Sequence, residues 1–139
     1  MEPDAMLDLA RSIFAKQPFT RYLGAELLEL SDTGAIIQLR LREELRQQHG
    51  FAHGGVLSYL ADNAITFAGG MALKSDALTS EFKINYLRPA QATLLRAEAG
   101  AVSVSGRQAV CQCSIYAIDD ADKTLCALAQ GTVVRISKG

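Results

Sequence analysis

Residues 47–72 read QQHGFAHGGVLSYLADNAITFAGGMA, and the reading of this stretch decides the fold. After the glycine-bearing entrance His53-Gly54-Gly55, the apolar residues Val56, Leu57, Leu60, Ala61, Ala64, Phe67, Ala68 and Met71 recur at three- and four-residue spacing. That period predicts one helix with a wide core-facing stripe, its exit marked by Gly69-Gly70 and Lys74-Ser75-Asp76. The opposite arc holds Ser58, Tyr59, Asp62, Asn63, Thr66, Gly69 and Gly70, and no lysine, arginine or glutamate occurs from Val56 to Leu73. A solvated helix face carries such long charged side chains, so the second face is expected to be covered too. Asp62 is then the single formal charge on a largely buried helix.

A lone carboxylate in that setting is either hydrogen-bonded to neighbouring backbone or available for chemistry. Ser58 and Thr66 lie four residues to either side of it, so hydroxyls flank the carboxylate where it can meet a substrate or a water. The helix entrance offers a complementary group. Its first backbone N–H groups have no intrahelical partner, and the macrodipole places positive potential there. Gly54 and Gly55 allow close approach, so a carbonyl oxygen docked on either N–H is polarised as in an oxyanion hole, with no metal required. Taken alone, two glycines also fit an ordinary tight turn into a helix.

Gly54 and Asp62 are eight residues apart, which is roughly 12 Å along a helix axis. One helix cannot present both to one carbonyl. Two antiparallel copies related by a twofold axis set the Gly54 end of one chain near Asp62 of the other, which makes the covered polar face a dimer interface with two composite sites.

At these residues the chain resembles the hotdog-fold acyl-CoA thioesterases, most closely the PaaI-like, phenylacetate-degradation type. The resemblance is carried by His53-Gly54-Gly55, by the helix start Val56-Leu57-Ser58-Tyr59-Leu60-Ala61-Asp62, and by the later stretch TSEFKINYLRPA at residues 79–90. It extends from about Leu23 to Ile136, and the spacing from HGG to Asp62 is its most specific part. It implies an α+β hotdog fold, a long antiparallel sheet wrapped around one central helix. It also implies that Gly54 donates its N–H to the thioester carbonyl and that Asp62 of the partner subunit is nucleophile or general base. Gln47, His53 and Thr66 would assist, while Gly55, Thr79 and Ser80 would contact substrate. PaaI-like members commonly have Asn where this chain has Gln47; a neighbouring aryl-CoA group uses Gln there, with Glu at the position of Asp62 and Ser or Thr matching Thr66. This chain mixes the two patterns.

The rest of the chain fits one domain, residues 1–139, with 49% apolar residues, enough for one core. A net charge of −1 argues against nucleic-acid or acidic-membrane partners, and no apolar run is long enough to span a bilayer. The acidic start MEPDAMLDLARS has no signal-peptide h-region, so a cytoplasmic location is expected. Residues 1–18 form an appended amphipathic helix, Pro3 to Lys16, in which Met6, Leu9, Ala10 and Ile13 align and Gln17-Pro18 ends the run. A hairpin follows, Tyr22 to Leu30 and Ala35 to Leu41 around Ser31-Asp32-Thr33-Gly34. Beyond Ala77 the period becomes 2, which predicts strands near Leu78 to Arg88, Ala92 to Val104, Gln108 to Ile118 and Thr124 to Ile136. Turns at Pro89-Ala90, Ser105-Gly106 and Asp119 to Asp122 would join them as a meander.

Among the cysteines, Cys111 and Cys113 share a strand face with Ala109, Ile115 and Ala117 and look like small core residues. Zinc spacing with His49 and His53 is lacking. Glycine-rich phosphate loops are absent, so no ATP or dinucleotide cofactor is expected, only the coenzyme A that forms part of a substrate. Arg88 and Arg107, with Lys74 and Lys83 behind them, are candidate cations for its phosphates and are equally ordinary surface charges. His53 either orients the reacting groups or holds the loop, and Gln47 either donates to the acyl carbonyl or is a surface amide. Phe51, Tyr59 and Phe67 near the site point to an aryl or medium acyl group, unless they are core residues. The leading function is hydrolysis of an acyl-CoA thioester by a homodimer or a homotetramer built as a dimer of dimers. A non-catalytic acyl-CoA sensor and an enoyl-CoA hydratase or dehydratase are the alternatives.

Overall fold

The computed structural model describes residues 2–136; the expected 1–139 domain also includes Met1 and residues 137–139, which lie outside the described residues. The elements in chain order are α1 (Pro3–Ala15), α2 (Pro18–Leu23), β1 (Glu26–Ser31), β2 (Gly34–Arg40), α3 (Gly54–Leu73), β3 (Ala77–Tyr86), β4 (Leu94–Ser105), β5 (Gln108–Asp119) and β6 (Asp122–Arg135). All strand pairs are antiparallel, in the sheet order β1-β2-β4-β5-β6-β3. The sheet wraps α3, which packs against every strand, giving the α+β hotdog architecture.

The central helix is as long as its period implies, but its ends and faces differ from expectation. It starts at Gly54, with His53 as N-cap, and ends at Lys74 in the left-handed region with φ 54°. Gly69 and Gly70 therefore lie inside the helix. Gly69 is a packing residue, since a Cβ there would stand 2.7 Å from Val133 on β6. Leu60, Ala61, Ala64 and Ile65 are fully buried by the sheet. Each large apolar side chain there contributes about 1.5–3 kcal/mol. The opposite arc is only partly covered. Tyr59 is buried beneath α2, where its hydroxyl meets that of Thr20 at 2.6 Å and Phe19 packs edge-on, while Phe67 meets Phe14 of α1 edge-on at 5.4 Å. Ser58, Asp62, Asn63 and Thr66 stay half-buried.

Two expectations about the flanking elements are overturned. Residues 22–25 do not belong to a strand, because Pro18 opens a second helix and Gly24 closes it with φ 76°. In α1 the packed stripe is Leu7, Ala10 and Phe14, with Leu9 and Ile13 exposed, because the Phe14–Phe67 contact sets the helix's rotation. The second half of the chain is not a four-strand meander either. Only β4, β5 and β6 run consecutively, and β3 pairs with β6 at the sheet edge. Residues 87–93 are a crossing link tied across the sheet end: Ala52 N–H donates to Ala90 C=O, Leu41 N–H to Thr93 C=O, and Thr93 donates twice to the Asp119 carboxylate at 2.6 Å. This link brings the helix entrance and the end of β3 together.

Candidate active site

The entrance loop holds the groups on either side of the first helical N–H, that of Gly54. Gln47 N–H donates to Phe51 C=O and Gly50 N–H to Gln47 C=O, with Gly50 at φ 88° and its carbonyl held by Arg46. His53 N–H donates to Leu45 C=O, and His53 C=O accepts from Val56 N–H. At 2.8 Å the His53 Nδ1 accepts from Gly55 N–H, so His53 is a cap with its ring proton on Nε2. Gly55 N–H is thereby occupied. Among the described residues Gly54 N–H has no partner, and it sits at the positive end of a 20-residue helix.

Gly54 opens into a cleft of about 460 Å³ lined also by Gln47, His49, Phe51, Leu57, Tyr86 and Arg88. Gln47 uses its side-chain oxygen on His49 N–H at 2.6 Å, which leaves its NH₂ end as the available donor. Tyr86, on β3, was not singled out by sequence, although Phe82, Ile84 and Tyr86 share the strand phase that turns toward α3. Its hydroxyl lies 2.9 Å from Ser58 Oγ and donates to Gly54 C=O at 3.1 Å.

Asp62, Thr66 and Thr79 form a second group, midway along α3. The Asp62 carboxylate makes no hydrogen bond or ion pair among the described residues, so nothing there supports its reading as a backbone-bonded group. Thr66 donates to Asp62 C=O at 2.7 Å and meets the Thr79 hydroxyl at 2.5 Å, joining helix to β3. Ser80 donates instead to Thr132 C=O across the β3–β6 ladder, at the bulge between Thr79 and Glu81. Arg88 lines the Gly54 cleft, whereas Arg107 lies beyond the far end of β4, where its carbonyl accepts from Arg135 N–H. One chain thus unites Gln47, Gly54 and Arg88 but separates them from Asp62, Thr66, Thr79, Ser80 and Arg107. Of the aromatic candidates only Phe51 lines the cleft; Tyr59 and Phe67 are held by α2 and α1.

The cysteines are core residues. Cys111, Cys113 and Cys126 are buried, and burial pushes the Cys113 thiol up to about 12 and the other two up to about 11.

A backbone donor at a buried helix's N-terminus, a cleft around it and an unpaired carboxylate further along the same helix are compatible with chemistry on a carbonyl group. The Thioesterase superfamily signature matches residues 49–124, more than half the chain. The chain belongs to that superfamily and is a thioesterase. It is 29% identical over 106 residues to a Listeria monocytogenes protein named 1,4-dihydroxy-2-naphthoyl-CoA hydrolase, covering 75% of this chain and 85% of that one. Among solved structures it is similar to a thioesterase family protein from Silicibacter pomeroyi, with TM-score 0.85 and 30% identity over 91% of this chain and 96% of the other. It is also similar to the E. coli PaaI protein from the phenylacetic acid degradation operon, with TM-score 0.81 and 25% identity over 92% and 91% of the two chains. These neighbours bear out the PaaI-like resemblance. Among the described residues no helix is long and apolar enough to cross a membrane.

Proposed function

We propose that the enzyme hydrolyses an acyl-CoA thioester at a site shared between two subunits, with Gly54 of one chain polarising the carbonyl and Asp62 of the other acting as general base or nucleophile. The observation that carries this is the unpartnered N–H of Gly54, a residue that lines the cleft. In the general-base form Asp62 takes a proton from water, the oxygen adds to the carbonyl carbon, and the tetrahedral intermediate expels the thiolate, which leaves as CoA–SH beside the free acid. Gln47's NH₂ is a second donor to the carbonyl, His53 keeps the loop in register, Thr66 holds the Asp62 turn, and Arg88 faces the CoA phosphates. Thr79 supports the carboxylate turn through Thr66. No cofactor beyond substrate CoA is needed.

The two sheet edges support the dimer. The β1 edge is covered, since Arg11 of α1 donates to Leu27 C=O and Leu28 C=O. The β3 edge lies beside the helix polar stripe and exposes Leu78 and Tyr86. Antiparallel pairing of two β3 strands about a twofold axis carries each Gly54 end toward the middle of the other α3, and two such dimers back to back make the tetramer. The name of the Listeria relative makes an aryl-CoA the first substrate to try.

The test is thiol release from a panel of aryl and aliphatic acyl-CoAs, with enoyl-CoA hydration followed in parallel. Turnover on the thioesters and a loss of at least ~10²-fold in Asp62→Ala are expected. Binding without thiol release, hydration alone, or wild-type turnover in Asp62→Ala contradicts the proposal.

A further inference from the structure

The peptide unit joining Gly54 to Gly55 is gripped at both ends. Its N–H donates to His53 Nδ1 at 2.8 Å, and its C=O accepts from the Tyr86 hydroxyl at 3.1 Å. Because the Tyr86 proton is given to that carbonyl, the 2.9 Å contact with Ser58 has Ser58 as donor, so a chain runs from Ser58 O–H through Tyr86 O–H to Gly54 C=O. The His53–Gly54 peptide is held at its C=O, which accepts from Val56 N–H, and the peptide before it is held by His53 N–H donating to Leu45 C=O. What remains between the pinned groups is Gly54 N–H. The Tyr86 ring also closes one side of Gly54, since a Cβ there would lie 3.1 Å from its hydroxyl oxygen and 3.2 Å from Cζ.

We propose that Tyr86 is a positioning residue of the thioesterase. Its hydroxyl holds the Gly54–Gly55 peptide and so limits how the adjoining His53–Gly54 peptide, which carries the Gly54 N–H, can turn about the Gly54 Cα, and Ser58 sets the orientation of that hydroxyl. Tyr86 ends the edge strand β3, so the same contact ties the helix entrance to the strand on which the proposed partner would dock. A donor that polarises a developing oxyanion acts through its alignment, so misalignment lowers kcat more than it raises KM. The inference rests on Gly54 being the carbonyl's donor, as proposed above.

The test compares wild type, Tyr86→Phe, Ser58→Ala and the double variant. Tyr86→Phe keeps the ring on Gly54 and removes only the hydroxyl. It should lower kcat about 10-fold with KM within about 3-fold. Ser58→Ala should show a smaller loss, and the double variant should be no worse than Tyr86→Phe, because both act along one chain. The ¹H–¹⁵N signals of Gly54 and Gly55 should move in Tyr86→Phe while that of Gly69, about one turn before the helix end, stays in place. Unmoved Gly54 and Gly55 signals, unchanged kcat, or losses that multiply in the double variant overturn the Tyr86 role. Signals that move in an enzyme that releases no thiol from any acyl-CoA keep the peptide clamp and overturn the thioester reading instead.

Discussion

Replacing Gly54 with alanine separates the donor's chemistry from the helix's stability. The position has ordinary helical geometry, without a positive φ, so alanine is accepted by the backbone and gains up to about 0.5–1 kcal/mol over glycine in a helix. Against this, the new Cβ would stand 3.1 Å from the Tyr86 hydroxyl and 3.2 Å from Cζ, where carbon contacts settle at about 3.5–4.0 Å. The ring must withdraw by a few tenths of an ångström, which stretches its bonds to Gly54 C=O and Ser58. Each such bond is worth about 0.5–1.5 kcal/mol net, so gain and loss nearly cancel. Tm should move by no more than about 4 °C. Activity should fall by up to about 10-fold, as for Tyr86→Phe, since the N–H donor stays and the bond that aligns it is loosened. The assay is thiol release with the best substrate of the panel, beside thermal unfolding monitored by circular dichroism. Wild-type kcat at unchanged Tm would refute the role of Gly54, and a collapse in Tm would refute the packing estimate.

Gly69→Ala should do the reverse, because its Cβ would meet three Val133 atoms at 2.7–2.9 Å inside the core. Overpacking of about 1–3 kcal/mol should lower Tm by several degrees, while kcat of the folded fraction stays near wild type. The buried thiols, held neutral by their raised pKa values of about 11 to 12, should not react with Ellman's reagent at pH 8 in the native enzyme and should react fully in guanidinium. As the folded values lie above the usual thiol value, this burial favours folding below pH 9 and is lost as pH rises through 11 to 12, so unfolding midpoints should drop at strongly alkaline pH.

Much of this molecule is legible in its sequence because the sheet wraps the central helix, which leaves a long run with Asp62 as its single charge that admits few other placements. The period-2 runs mark the late strands within a few residues for the same reason. Their pairing is not legible: the alternation in 77–86 is the same whether that strand neighbours β4 or β6, and only the ties of residues 87–93 to Ala52, Leu41 and Asp119 show that the link crosses the sheet end. Pro18 reads as a stop in the sequence because proline closes a preceding helix, although it equally opens a following one. At the site, the HGG spacing marks the helix entrance, but which of its two glycine N–H groups is spare depends on the His53 ring, and that is a matter of rotamer. Tyr86 lay hidden because a tyrosine at a strand end has no distinguishing pattern.

The shared site is the central claim, and subunit complementation tests it most directly. Gly54→Leu and Asp62→Ala, each inactive alone, would be mixed, unfolded and refolded together, with a mass tag counting mixed dimers. Random mixing makes half the dimers mixed, and one site in each combines an intact entrance with an intact acid, so about a quarter of wild-type activity should return. Mixed dimers that form and stay inactive would contradict the claim.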